Sequence, residues 1–180
     1  MSGAKSLMAA RYGAAIAALG LMPLSAHAGT YQGQAQIALV TPLSFIRYEN
    51  LDFGRVIPSN TAGTVTVSPT NVRTATNGIV MVGNDYQVAR FAGMGAQNQR
   101  VRIRVAPAAI ALTGPGPAMT VNNFVIGPAP TLQQAGGSSN YRIQPANGIF
   151  MFTVGGTLAV GANQPGGAYS GTFTVTLDYQ

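Results

Sequence analysis

Residues 172–179 read Thr172-Phe173-Thr174-Val175-Thr176-Leu177-Asp178-Tyr179, with an apolar side chain at every second place. Successive side chains of a strand point to opposite faces. Phe173, Val175, Leu177 and Tyr179 therefore share one face, and the three threonines and Asp178 share the other. A helix would scatter both sets around its axis, so the stretch predicts a half-buried strand. The same code recurs at Gly63-Thr64-Val65-Thr66-Val67, closed by Ser68-Pro69. It recurs again over residues 99–105, where Val101, Ile103 and Val105 alternate with Arg100, Arg102 and Arg104.

Working outward, further strands are expected over residues 34–40, 43–48, 78–82, 86–91, 119–126 and 149–154. Gly83-Asn84-Asp85 predicts a hairpin turn between two of these. Residues 113–117, 127–140 and 155–168, rich in Gly and Pro, read as loops. Beyond the first thirty residues no segment carries a helical period. About eight to ten short strands at close spacing predict an all-β domain, and an antiparallel β-sandwich is preferred over a barrel.

The first residues read differently. Lys5 and Arg11 are the only charges before Arg47, and an apolar run from Tyr12 to Leu24 follows them. That run is shorter than the roughly 20 apolar residues a bilayer span needs. With Pro23 and the small-residue site Ala26-His27-Ala28 behind it, it predicts a secretory signal peptide over residues 1–28. The expected organisation is that signal followed by a single domain over residues 29–180. No transmembrane span is expected, and the destination is the periplasm, the cell surface or the extracellular space.

Composition removes most chemistry. His27 and Lys5 lie in the expected signal, so residues 29–180 hold no His, Lys, Cys or Trp. Eight arginines against four acids leave that part at +4. Nucleophile pairs that need a His base, zinc sites and Lys-bearing phosphate loops cannot be built from it. Glu49 and Asp52 are the one close acidic pair. With Arg47 and Arg55 beside them they read as turn and ion-pair residues rather than a glycosidase couple. No enzyme activity, cofactor or metal is expected.

Several blocks, in order, carry a resemblance. They are Thr41-Pro42-Leu43-Ser44, Leu51-Asp52-Phe53-Gly54 with Val56-Ile57-Pro58, Gly63 to Pro69, and Phe152-Thr153-Val154-Gly155-Gly156-Thr157-Leu158. The last runs from Gly166-Gly167-Ala168-Tyr169 to Tyr179. Together they resemble a bacterial secreted family designated domain of unknown function 4402. The C-terminal block is similar to that of fimbrial and spore-coat-U-like subunits. The shared features are the alternating last strand, the penultimate Tyr179, and Gly166 or Gly167 about a dozen residues earlier. The resemblance implies an immunoglobulin-like antiparallel β-sandwich that polymerises on the cell surface. It also implies that Phe173, Val175, Leu177 and Tyr179 form the strand a periplasmic chaperone pairs with. Many such subunits carry a disulfide, and this chain has no Cys.

Two segments are candidate contact sites. In residues 29–40, Ala35, Ile37 and Leu39 alternate with Gln34, Gln36 and Ala38. The segment suits strand exchange with a neighbouring copy, against the preferred, plainer reading as the first strand of its own sheet. Arg100, Arg102 and Arg104 form a stripe that suits an anionic polysaccharide or a neighbour's acids, against the plainer reading of a solvated face. Nucleic acid is not expected, because no aromatic residue interleaves the stripe. The expected function is an exported structural or adhesive surface protein, a pilus-like homopolymer assembled through strand pairing. The alternative is a monomeric secreted glycan-binding module.

Overall fold

A computed structural model describes residues 37, 39, 41–128 and 130–180. The expected signal peptide, and Ala35 with most of the expected strand over residues 34–40, lie outside the described residues. The folded body falls within Ala38–Gln180. Its described residues are all-β, with thirteen strands and no helix.

One strand organises the rest. β12 (Ile149–Val160) runs for 12 residues, and both its edges are occupied. Along one edge lie, end to end, β6 (Ala89–Met94) against residues 149–154 and β3 (Gly63–Val67) against residues 156–160. Along the other edge lies β9 (Met119–Pro128). β1 (Ser44–Glu49) pairs with β6, β4 (Arg73–Ala75) with β3, and β8 (Ile110–Leu112) with β9, all antiparallel. This completes a seven-stranded sheet. The second sheet has the order β10 (Leu132–Gln134), β11 (Asn140–Ile143), β7 (Arg100–Ala106), β13 (Thr174–Tyr179). A two-stranded ribbon of β2 (Arg55–Ile57) and β5 (Val80–Val82) lies apart from both. The two larger sheets pack as an antiparallel sandwich and do not close into a barrel.

The buried apolar side chains form two clusters, the first between the two larger sheets and the second on β3, β9 and β12 of the seven-stranded sheet with the segments that cover them. The first gathers Phe91, Val101, Ile103, Tyr141, Phe150 and Phe152 from both sheets. In it the rings of Phe91 and Phe152 stack at 4.9 Å, 7° from parallel. The second gathers Phe53, Val65, Val67, Val121, Leu158 and Val160. β12 contributes to both. Each large side chain so buried contributes about 1.5–3 kcal/mol.

The structure corrects several expectations. Gly83-Asn84-Asp85 does not close a hairpin, because β5 pairs with β2 while β6 pairs with β1 and β12. The expected loop over residues 155–168 begins as strand, since β12 continues through Gly155-Gly156 to Val160. Those glycines are packing requirements rather than breaks: a Cβ on Gly155 would strike the Val67 carbonyl oxygen and reach the Pro69 nitrogen at 2.8 Å. Within the expected loop over residues 127–140 lies β10. β9 changes phase along its length: Met119 and Val121 are buried, but then Phe124 and Ile126 turn inward. The register shift opposite Gly155 and Thr157, with Asn123 at φ 50°, marks a β-bulge that inserts one residue and flips the alternation.

An arginine fixes the ribbon to the body. Arg73 is buried on β4 with no acid beside it. Its guanidinium instead donates to the carbonyls of Phe53 at 3.0 Å and Gly83 at 2.7 Å, with longer bonds to those of Arg55 and Val82. It lies 4.5 Å from the centre of the Tyr86 ring. The positive charge is solvated by backbone dipoles and an aromatic face, and in return it holds both strands of the ribbon.

Candidate functional site

Among the described residues both β1 and β13 are edge strands: β1 pairs only with β6, and β13 only with β7. At one end the two approach each other through Tyr179. Its hydroxyl donates to the Thr41 carbonyl at 2.7 Å and accepts from the Ala96 amide at 2.7 Å. Away from this clamp no described strand joins the two edges, and a groove of about 1560 Å³ opens. Phe45, Ile46, Leu51 and Phe53 line one wall, and Phe173 and Val175 the other. Phe91, Val121 and Leu158, from the large sheet, also line it. The groove therefore reaches both core clusters from the side.

Burial shows that the sandwich is unsealed here. In β3 the inward side chains of Val65 and Val67 are 0% exposed, as are Val101 and Ile103 of β7. Along the groove Phe173 and Val175 are only half-buried, although they point to the same interior, and Leu177 and Tyr179 toward the clamped end are half-buried too. Phe45 on β1 is likewise half-buried. A further strand laid between the two edges would finish what these side chains begin. The volume exceeds the roughly 300–1,000 Å³ of ordinary small-molecule pockets and suits an extended peptide.

The candidate residues fall as follows. Val175, Leu177 and Tyr179 lie on β13, and Phe173 just before it, its ring 5.0 Å from that of Phe124. The described members of the expected strand-exchange segment, Ile37 and Leu39, belong to no strand and are 85% and 89% exposed. The expectation that residues 34–40 form a strand of the chain's own sheet does not hold at these two positions. Arg100, Arg102 and Arg104 lie on the outer face of the second sheet, away from the groove wall. The opposite wall, from Phe45 to Phe53, was not singled out from the sequence. Its signal there was a short apolar run beside the Leu51-Asp52-Phe53-Gly54 turn, which only pairing could place at an edge.

The acids of the chain have structural partners. Glu49 faces Arg90 at 2.9 Å, and Asp85 accepts from Arg55 at 2.8 Å. Asp52 accepts the Gly54 amide at 2.7 Å, which fixes the turn where Gly54 has φ 67°. Among the described residues no three of His, Cys, Asp or Glu come together to hold a metal. No described helix is long and apolar enough to cross a membrane.

A family model described as a domain of unknown function, DUF4402, matches residues 43–179. The match starts one residue before β1 and ends on the last residue of β13, so it spans the groove and both its edges. No curated protein and no solved structure matches the chain.

Proposed function

The chain belongs to the DUF4402 family, and from that premise we propose that it is an exported, non-enzymatic structural subunit whose open sandwich is completed by a strand from another chain. The observation that carries the reading is the half-burial of Phe173 and Val175 along a groove flanked by two sheet edges that no described strand covers. Strand addition to such an edge takes affinity from main-chain hydrogen bonds and specificity from alternate side chains seated in pockets. The sandwich is on this reading immunoglobulin-like and short of one strand.

The donor in the assembled state is residues 29–40 of a neighbouring copy, with Ala35, Ile37 and Leu39 entering the groove. Thr41, held by Tyr179, leaves this segment at the clamped end of its own groove. A strand entering its own groove would have to reverse at once through Pro42, so a neighbour's groove is the easier destination. Before assembly, a periplasmic chaperone offers the strand. The outward side chains Thr174 and Thr176, with no Lys on β13 to blunt the edge, favour pairing.

The test is the assembly state of residues 29–180 exported to a periplasm, followed by size exclusion with light scattering and negative-stain microscopy. Filaments or a ladder stable in SDS are expected, and deletion of residues 29–40 should abolish them. Polymerisation that survives the deletion refutes the strand-exchange reading.

A further inference from the structure

We propose that the outer face of the second sheet is a binding surface for an acidic polysaccharide. Strand pairing adds a fourth arginine to the stripe, because Arg142 on β11 sits directly opposite Arg100 on β7. Arg102 stands between Asn140 and Asp178, and Arg104 pairs with Thr176. Along β7 the three arginines are about 6.5–7 Å apart, the two-residue repeat of a strand. The single acid on this face, Asp178, approaches Arg104 only to 3.7 Å. Of the eight arginines and four acids beyond residue 28, this face therefore holds four arginines and one acid, and most of the net positive charge.

Two observations turn this charge into a site. Like charges directly opposite on neighbouring strands destabilise a sheet, so Arg142 against Arg100 is a local conflict, and no described acid pairs with either guanidinium. The hydrogen bonds that surround the cluster also aim it outward. Arg142 donates to the Asn98 carbonyl at 3.1 Å and Arg102 to the Asn140 side chain at 3.3 Å, which orders two guanidinium groups and leaves further N–H donors free for a ligand.

The chemistry narrows the partner. A second copy is a poor match, because the whole chain has only four acids and three of them already have partners at Arg90, the Gly54 amide and Arg55. No large exposed apolar side chain lies on β7, β10, β11 or β13 to enter a bilayer. No aromatic ring stands out from this face to stack on a base. What remains is a flat field of guanidinium and amide donors, with Gln133 opposite Arg142 and Asn140 opposite Arg102. That field matches the spaced carboxylates and hydroxyls of a uronic-acid chain. The surface is independent of the groove, so it can hold whether or not the chain polymerises.

The experiment measures binding of the purified chain to polygalacturonate at low salt. Neutral dextran, anionic phosphatidylglycerol vesicles and duplex DNA are run alongside. Binding is expected to polygalacturonate and not to dextran, and to weaken as salt rises. The double variant R100Q/R142Q should bind about tenfold more weakly, the loss of two exposed ionic contacts. R100K/R142K should retain most of the affinity. The variant N60D/A62E, which lowers net charge equally in the β2–β3 loop, should bind as wild type. The proposal is overturned by the absence of polygalacturonate binding, or by an unchanged R100Q/R142Q. It is overturned equally by a matching loss in N60D/A62E, or by tighter binding to the vesicles or the DNA.

Discussion

Removing one oxygen atom tests the clamp that closes the groove. In Tyr179→Phe the ring keeps its packing against the first cluster, but the hydroxyl that accepts from the Ala96 amide and donates to the Thr41 carbonyl is gone. The Thr41 carbonyl, at an exposed position, recovers its bond from water. The part-buried Ala96 amide does not, and leaving such a donor unpaired costs about 1–3 kcal/mol. The expected loss is about 2 kcal/mol, a large share of the roughly 5–15 kcal/mol that holds an ordinary domain together. With an unfolding entropy of about 2.1 cal/mol/K per residue over the folded body, the midpoint should fall by about 7 °C. The assay is thermal and urea unfolding of the purified chain beside Tyr48→Phe. The Tyr48 side chain is 48% exposed and makes no hydrogen bond to another described residue, so that variant should stay within about 0.5 kcal/mol of wild type. If Tyr179→Phe falls within the same margin, the hydroxyl is not a clamp and the groove's closed end is misassigned.

Two other perturbations address the fold away from the groove. Arg73→Met strips the buried carbonyl of Phe53 and the more exposed carbonyl of Gly83 of their donor and should cost about 2 kcal/mol; amide exchange should accelerate most in β2 and β5, and uniform acceleration across the sandwich would contradict the ribbon-fixing role. Asp85 titrates low because its own backbone amide, and then the Arg55 guanidinium 2.8 Å away, favour the carboxylate. A depressed carboxylate stabilises the fold above its unfolded value near 3.9, and that contribution is lost as pH falls through the lower folded value. The urea-midpoint gap between wild type and Asp85→Asn should therefore be flat from neutral pH to about pH 5 and shrink below about 3.9, and a gap that widened with acid would reverse the assignment.

How far the sequence could be read depended on strand length. Where alternation runs for five residues or more, as in Gly63–Val67, Arg100–Ala106 and Thr174–Tyr179, period and burial agree, because one face is in the core and the other in water. Three-residue strands such as β2, β4, β8 and β10 carry too few residues for a period and exist because a neighbour pairs with them. β12 hid behind its glycines. Gly155 and Gly156 looked like punctuation, whereas their missing side chains make room for the Val67 carbonyl and for Val121 and Phe124. The bulge at Asn123 hid the second half of β9 by reversing its phase. Of the groove, the β13 wall was visible from its alternation. The β1 wall was not, since being at an edge is a property of pairing and not of composition. The Arg100 stripe was legible and its fourth member was not, because Arg142 lies forty-two residues away in sequence and meets it only across β7 and β11.

The length of β12 has a mechanical meaning. Because β6 and β3 lie end to end on one of its edges and β9 covers the other, neither core cluster can come apart while the strand stays in place. A pull directed along β12 would load the hydrogen bonds on both edges side by side, so they would resist together instead of opening one after another. A fibre made of such units would carry tension in the middle of each sandwich, and its weakest points would be the junctions between subunits.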